Sequence, residues 1–194
     1  MTDGFRLVLA SASPRRLELL RRIGVEPDAV RPANIDESEI PGETPRQVAE
    51  RLARSKAAAI NADDAIILGS DTVVAVGRRI LPKTEDEQSA RACLRLLSGR
   101  GHRVWTGVAL IAPDGRTASR VVETRVSFKR LSSEEIDAYI ASGEWQGKAG
   151  GYGIQGMAEA FVMRLGGSYS GVMGLPLYET ANLLRGFGYP VLAS

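Results

Sequence analysis

The chain is short of the residues that carry most nucleophilic and soft-metal chemistry: 194 residues hold one cysteine, Cys93, and one histidine, His102. One thiol rules out an internal disulfide, which fits a cytoplasmic protein. One histidine rules out a histidine-rich zinc site and a two-histidine metalloprotease helix, and the pair leaves no spare for a Cys-His dyad. Any metal must then be held by oxygen ligands, which points to Mg²⁺ or Mn²⁺. No apolar run is long enough to cross a bilayer, and Met1–Arg6 carries no apolar signal core. Charge of one sign is also lacking: the formal net charge is +2, with basic and acidic residues interspersed throughout. A protein that coats DNA or RNA would concentrate its basic residues on one face, so nucleic acid is not the expected partner. Repeats, low-complexity tracts and linkers are absent. With 44% hydrophobic residues, positions 1–194 are expected to form one domain.

What is present begins with Leu9-Ala10-Ser11-Ala12-Ser13-Pro14-Arg15-Arg16. Arg6–Ala10 reads as a short strand. Ser13 suits an N-cap and Pro14 the first helical position, with Leu17, Leu20 and Ile23 as the apolar stripe and Gly24 as the stop. Arg15 and Arg16 then lie where free N–H groups and the helix dipole already favour negative charge, so they cost stability unless an anion arrives. That combination describes a phosphate receptor. Two solvated surface arginines are the plainer alternative.

Thr44-Pro45-Arg46-Gln47 combines a cap, a first-position proline and a capping-box glutamine, opening a helix to about Ile60. Val48 and Leu52 step by four to Lys56, which either aims into a cleft or snorkels to solvent. Ala65–Gly69 suits a buried strand, leading through Ser70-Asp71-Thr72 into Val73–Val76, with Gly77-Arg78-Arg79 as a hairpin turn. Asp71 between two apolar runs is the best catalytic candidate, because a buried carboxylate there needs a partner or a metal. A turn aspartate satisfied by backbone N–H groups is the alternative. Ser70 and Thr72 offer hydroxyls beside it. Glu37, in the acidic stretch Arg31–Gly42, is a second metal-ligand candidate.

Thr84 with Glu87 reads as a second capping box for a helix to Leu97, which places Lys83 at a helix mouth. Cys93 falls with Ala90, Leu94 and Leu97 at helical spacing and reads as core. Val104–Ile111 and Thr117–Phe128 read as paired strands around Pro113-Asp114-Gly115, with His102 at a strand edge. Ser132 with Glu135 caps another helix. A glycine-dense loop, Gly143–Gly156, precedes a strand-like stretch near Ala158–Leu165 and a last helix near Tyr178–Leu184. Gly151–Gly156 matches G-x-G-x-x-G without the strand that a dinucleotide site requires, and Gly143–Ala149 is one residue short of a P-loop. In that loop Gln155 can present both a donor and an acceptor to a base edge. The order of elements predicts an α/β layered domain with a mixed sheet.

Taken together, Leu9–Arg16, Gly69-Ser70-Asp71-Thr72, Lys148–Gly156, Gly167-Ser168-Tyr169 and Gly174-Leu175-Pro176-Leu177 resemble the Maf family of nucleoside triphosphate pyrophosphatases across nearly the whole chain. The resemblance implies an ITPase-like fold: an elongated mixed sheet in two lobes with a central cleft. It implies metal-dependent hydrolysis of a nucleoside triphosphate to monophosphate and diphosphate. The catalytic base falls on Asp71, and specificity positions on Arg15, Thr72 and Gln155. Phosphate contacts fall on Ser11, Arg16, Lys56 and Lys83, and a second acidic metal ligand on Glu37. Asp71-Thr72 with Ile154-Gln155-Gly156 looks like the dTTP/UTP branch, and a homodimer is compatible. Pro82 and Thr84 depart from the small residue and proline that flank the lysine in relatives, and Gly151 stands where alanine is common. A regulatory module that senses nucleotide without hydrolysing it, linked to cell division, is the competing function.

Overall fold

The computed structural model describes residues 6–192; the reading of Met1–Phe5 as lacking a signal core lies outside them. In chain order the elements are β1 (Arg6–Leu9), α1 (Pro14–Arg22), β2 (Ala29–Val30), α2 (Pro45–Ala58), β3 (Ala65–Val76), β4 (Arg79–Leu81) and α3 (Glu87–Leu97). There follow β5 (Gly101–Ile111), β6 (Thr117–Phe128), α4 (Ser133–Ser142), a 3₁₀ turn (Met157–Phe161), β7 (Val162–Gly166), α5 (Tyr169–Met173) and α6 (Leu177–Gly186). The strands form one mixed sheet in the order β2-β1-β3-β5-β6-β7, with β4 also paired to β3. The expected α/β architecture with an elongated mixed sheet and a cleft is the one adopted.

β1 runs parallel to both β2 and β3. The chain leaves β1 through α1 to reach β2, then returns across β1 through α2 to β3. Small residues let α2 lie close on the sheet. Ala49, Ala53 and Ala57 face Gly69 and Gly107, and a Cβ added at Gly69 would stand 2.3 Å from the Ala53 carbonyl oxygen. The opposite face carries the main core, in which Leu19 and Leu20 of α1 meet Leu68, Leu94, Val108, Phe128 and Leu184.

β3 is a single strand of 12 residues, so Ser70-Asp71-Thr72 is not the turn expected between two shorter strands. Continuous antiparallel pairing with β5 holds it straight, Asp71 lying opposite Gly107. On its other edge β3 pairs with β1 only as far as Leu68 and with β4 only from Val74. The edge between those positions is left open.

Several local expectations hold. Thr44 and Gln47 form the capping box of α2, and Ser132 and Glu135 that of α4. Gly77 (φ +61°) turns β3 into β4. Others need correcting. Asp86, not Thr84, caps α3 by accepting from the Ser89 N–H. Thr84 is buried, and its hydroxyl lies 2.7 Å from the Trp145 carbonyl and 3.2 Å from that of Lys148. Lys83 therefore stands at no helix mouth; it forms an isolated bridge with Ala149. Ser13 occupies the N-cap of α1 without a side-chain cap bond, and Ser11 Oγ accepts from the Ser13 N–H instead. The stretch from Ala158 begins as a 3₁₀ turn and becomes strand only at Val162. The short helix α5 was not foreseen. His102 lies buried within β5, not at an exposed edge, edge-on to Phe128 and Tyr152.

Candidate active site

A cavity of about 390 Å³ opens where β1 ends and β3 continues. In open α/β sheets the crevice beyond the carboxyl ends of parallel strands, where the connections diverge, is the usual ligand site. Its walls come from the β1–α1 turn, the unpaired stretch of β3, Glu37 and Lys56, the glycine loop before the 3₁₀ turn, and the end of α5. Ser11, Arg15, Arg16, Glu37, Lys56, Asp71, Thr72, Lys83 and Gln155 all line it. Arg15 and Asp71 thus share one cavity.

Asp71 and Thr72 project to opposite faces of β3, as successive strand residues must. Both reach the cavity because the strand edge between them is uncovered. Asp71 is 3% exposed. Its Oδ1 accepts from Lys56 Nζ at 2.6 Å. The apolar stripe of α2 carries Lys56 inward, and the lysine does not snorkel to solvent. Lys56 Nζ also meets Glu37 Oε1 at 2.7 Å, while the other Glu37 oxygen accepts from Lys83. Lys83, Glu37, Lys56 and Asp71 form a chain of alternating charge across four segments. Burial by itself would raise the Glu37 carboxyl; the hydrogen bonds and charges of Lys56 and Lys83 together outweigh it and bring it down to about 2.

The two arginines at the start of α1 do not dangle in solvent. Arg16 donates through Nε to the Gly174 carbonyl at 2.8 Å and through Nη1 to Ser11 Oγ at 3.0 Å. Burial lowers its affinity for protons, partly offset by Asp71 and opposed again by Arg15. Arg15 reaches the Met173 carbonyl at 3.4 Å, and its shift is likewise downward from burial. Both cations are partly stripped of water, and α1 carries no acidic residue in its first turn. An arriving anion would meet two poorly hydrated guanidiniums and the positive end of a helix.

Ser70 is different from its neighbours. Its hydroxyl lies 2.8 Å from the Gly107 carbonyl and 2.9 Å from that of Gly174, so it ties β3 to β5 and to the α5–α6 turn and is not available to Asp71. Thr106 Oγ1 is 3.3 Å from Thr72 Oγ1 and donates to the Gly171 carbonyl at 2.7 Å. Sequence reasoning passed over Arg51, which grips Glu43 and the Ser38 carbonyl and so fixes the loop carrying Glu37 on α2. Its only signal was an arginine one position before Leu52. Lys148 and Tyr152, quoted only within a motif, also line the cavity.

A model of the family described as Maf-like protein matches residues 6–187. The chain belongs to the Maf family. Among curated relatives, this Maf protein is 69% identical over 189 residues to a dTTP/UTP pyrophosphatase of Maricaulis maris (strain MCS10), covering 97% of this chain and 91% of the relative. It is 63% identical over 191 residues to a dTTP/UTP pyrophosphatase of Caulobacter vibrioides (strain ATCC 19089 / CIP 103742 / CB 15), covering 97% and 99%. Among solved structures, a HAM1 protein from Coxiella burnetii has a TM-score of 0.49 at 17% identity, covering 94% of this chain and 99% of that one. That last likeness is too distant to add to the fold of this Maf protein.

Proposed function

We propose that this Maf protein is a pyrophosphatase that hydrolyses dTTP and UTP to the monophosphate and diphosphate. The observation that carries the reading is the meeting of Arg15 and Asp71 in one cavity whose lining sets five cations against two carboxylates. A triphosphate tail offers the missing negative charge. The names of the relatives supply the base and the bond broken. Arg15, Thr72 and Gln155 are assigned to the base and its orientation, and Ser11, Arg16, Lys56 and Lys83 to the phosphates.

In the proposed reaction a water oxygen attacks the α-phosphorus. The new P–O bond forms as the bridging oxygen to the β-phosphorus leaves with diphosphate. Asp71 takes the water proton on its carboxylate, as a positioned general base. Arg16, Lys56 and Lys83 offset charge on the departing diphosphate, and the burial of Arg16 and Lys56 makes their contacts stronger than they would be in bulk water.

Asp71 and Glu37 are also assigned to a divalent cation, Mg²⁺ or Mn²⁺. Their donor chemistry fits. Two carboxylates converge on one point, now taken by the Lys56 ammonium, and hard cations accept one or two carboxylates together with substrate phosphates. Among the described residues no group of three potential ligands exists, so the substrate would complete the set. When bound, the cation would supply positive charge at the phosphate oxygens and the attacking water.

The test is a panel of dTTP, UTP, CTP, ATP and GTP with Mg²⁺, with products separated chromatographically. Diphosphate with the matching monophosphate, fastest for dTTP and UTP, is the expected result. Orthophosphate release would mean a different bond is cut. Binding without product would favour the sensing module.

A further inference from the structure

Lys148 is the cavity cation to which the proposed reaction gives no role. Its backbone is clamped harder than a surface lysine needs. The Lys148 carbonyl accepts from the Thr84 and Gly151 N–H groups at 3.1 and 3.0 Å, and its own N–H donates to the Trp145 carbonyl at 3.1 Å. The next residue, Ala149, bridges to Lys83. The side chain is half-buried on the cavity wall. Its ammonium makes one hydrogen bond, at 3.2 Å to the Gln146 carbonyl of its own loop. Lys56 and Lys83 each grip a carboxylate; among the described residues Lys148 grips none.

Its loop places it among the cavity-lining residues Gln146, Tyr152, Gly153 and Gln155. Burial lowers its hold on a proton, Arg15 adds to that, and Glu144 opposes it. Lys148 thus lines the cavity from the same loop as Gln155, the residue assigned above to the base. Glu144 in turn accepts from the Met157 N–H at 2.8 Å, pinning the chain two residues after Gln155.

We propose that Lys148 is a specificity-determining residue whose ammonium donates a hydrogen bond to a ring carbonyl of a keto pyrimidine. This rests on the functional reading above. An ammonium is a donor with no acceptor capacity. Uracil and thymine present a carbonyl oxygen where cytosine presents an amino group, so Lys148 rewards the first two and opposes donor to donor in the third. A site built around a polar contact of this kind rejects the mismatched analogue more strongly than shape alone would.

The test compares wild type with Lys148→Met, which keeps the stem, and Lys148→Arg, which keeps the charge; Lys148→Gln is the second neutral variant should methionine disturb folding. The kcat and KM for UTP and CTP are read by diphosphate release, and the affinities for UMP, CMP and inorganic triphosphate by calorimetry. The neutral variant is expected to raise KM for UTP about tenfold or more, with kcat within roughly threefold. The UTP-over-CTP preference falls about as far, inorganic triphosphate binds as before, and arginine restores most of the preference. An unchanged UTP-over-CTP ratio overturns the proposal. Equal losses for UTP, CTP and inorganic triphosphate also overturn it, by making Lys148 a phosphate contact. Should wild type release no diphosphate at all, the enzymatic reading fails, and the UMP-over-CMP affinity ratio still decides the role of Lys148.

Discussion

Gly69→Ala adds one methyl group at the place where α2 comes closest to the sheet. The new Cβ would stand 2.3 Å from the Ala53 carbonyl oxygen and 2.6 Å from the Ala57 nitrogen. Those atoms are one hydrogen-bonded step of the helix itself, so no side chain can swing aside to make room. Ordinary contact starts near 3.4 Å, which means α2 must retreat by about 1 Å, an overpacking strain of ~3 kcal/mol. For a chain of this size that lowers the melting temperature by roughly 6–12 °C. The retreating peptide links Lys56 to Ala57, so the 2.6 Å contact of Lys56 with Asp71 lengthens past hydrogen-bonding range. A displacement of this size at reacting groups costs up to about a hundredfold in turnover. Thermal unfolding and steady-state diphosphate release should therefore fall together. Gly166→Ala is the control, since a Cβ there meets nothing within 4 Å. Unchanged melting and turnover within twofold for Gly69→Ala would refute the idea that glycine sets the spacing of the pair.

Asp71→Asn keeps shape and loses charge, and should cut turnover on the order of a hundredfold or more while nucleotide still binds; near-normal turnover would remove Asp71 from the mechanism. Replacing Gln155 with alanine should reorder preference among dTTP, UTP, CTP and GTP more than it lowers the best rate, and an unaltered order would contradict its assignment. His102, held down to about 4 by burial, should leave a mark on stability. The unfolded chain takes up a proton near 6.5 that the native chain refuses until about 4, so stability is full above 6.5 and is lost as pH falls through that window. Between pH 7 and 5 the loss amounts to about 2 kcal/mol, read as a urea midpoint shift that His102→Gln abolishes; an equal shift in both proteins would refute it. Mn²⁺ followed by electron paramagnetic resonance should bind at least tenfold more tightly once a non-hydrolysable dTTP analogue is present, because the Lys56 ammonium holds both carboxylates without it. Tight binding by the free protein would argue against that competition.

Much of this was legible in the order of residues, and the exceptions share a cause. The capping boxes at Thr44 and Ser132 formed because each hydroxyl stays with the helix it opens and accepts from the N–H three residues on. The same spacing at Thr84 and Glu87 failed because a distant loop claims the Thr84 hydroxyl, leaving Asp86 to cap α3. Lys56 followed from the period of α2, yet its two carboxylate partners come from segments that meet only after folding. Asp71 was visible as a charge between apolar runs. That it sits mid-strand was not, since the pairing that straightens β3 comes from a strand 35 or so positions away in sequence. Helix α5 has five residues, too few for a period to show.

The stretch of β3 from Gly69 to Val73, where neither β1 nor β4 is paired, has a cost besides its use. Bare backbone along a strand is what another polypeptide seeks when it adds itself to a sheet, and natural proteins discourage that with lysines and inward-pointing charge. Here the ammonium and guanidinium groups that line the cavity guard the same opening. Neutralising several of them together would expose a docking edge, so such multiple variants should be judged for clumping before their lost activity is blamed on chemistry.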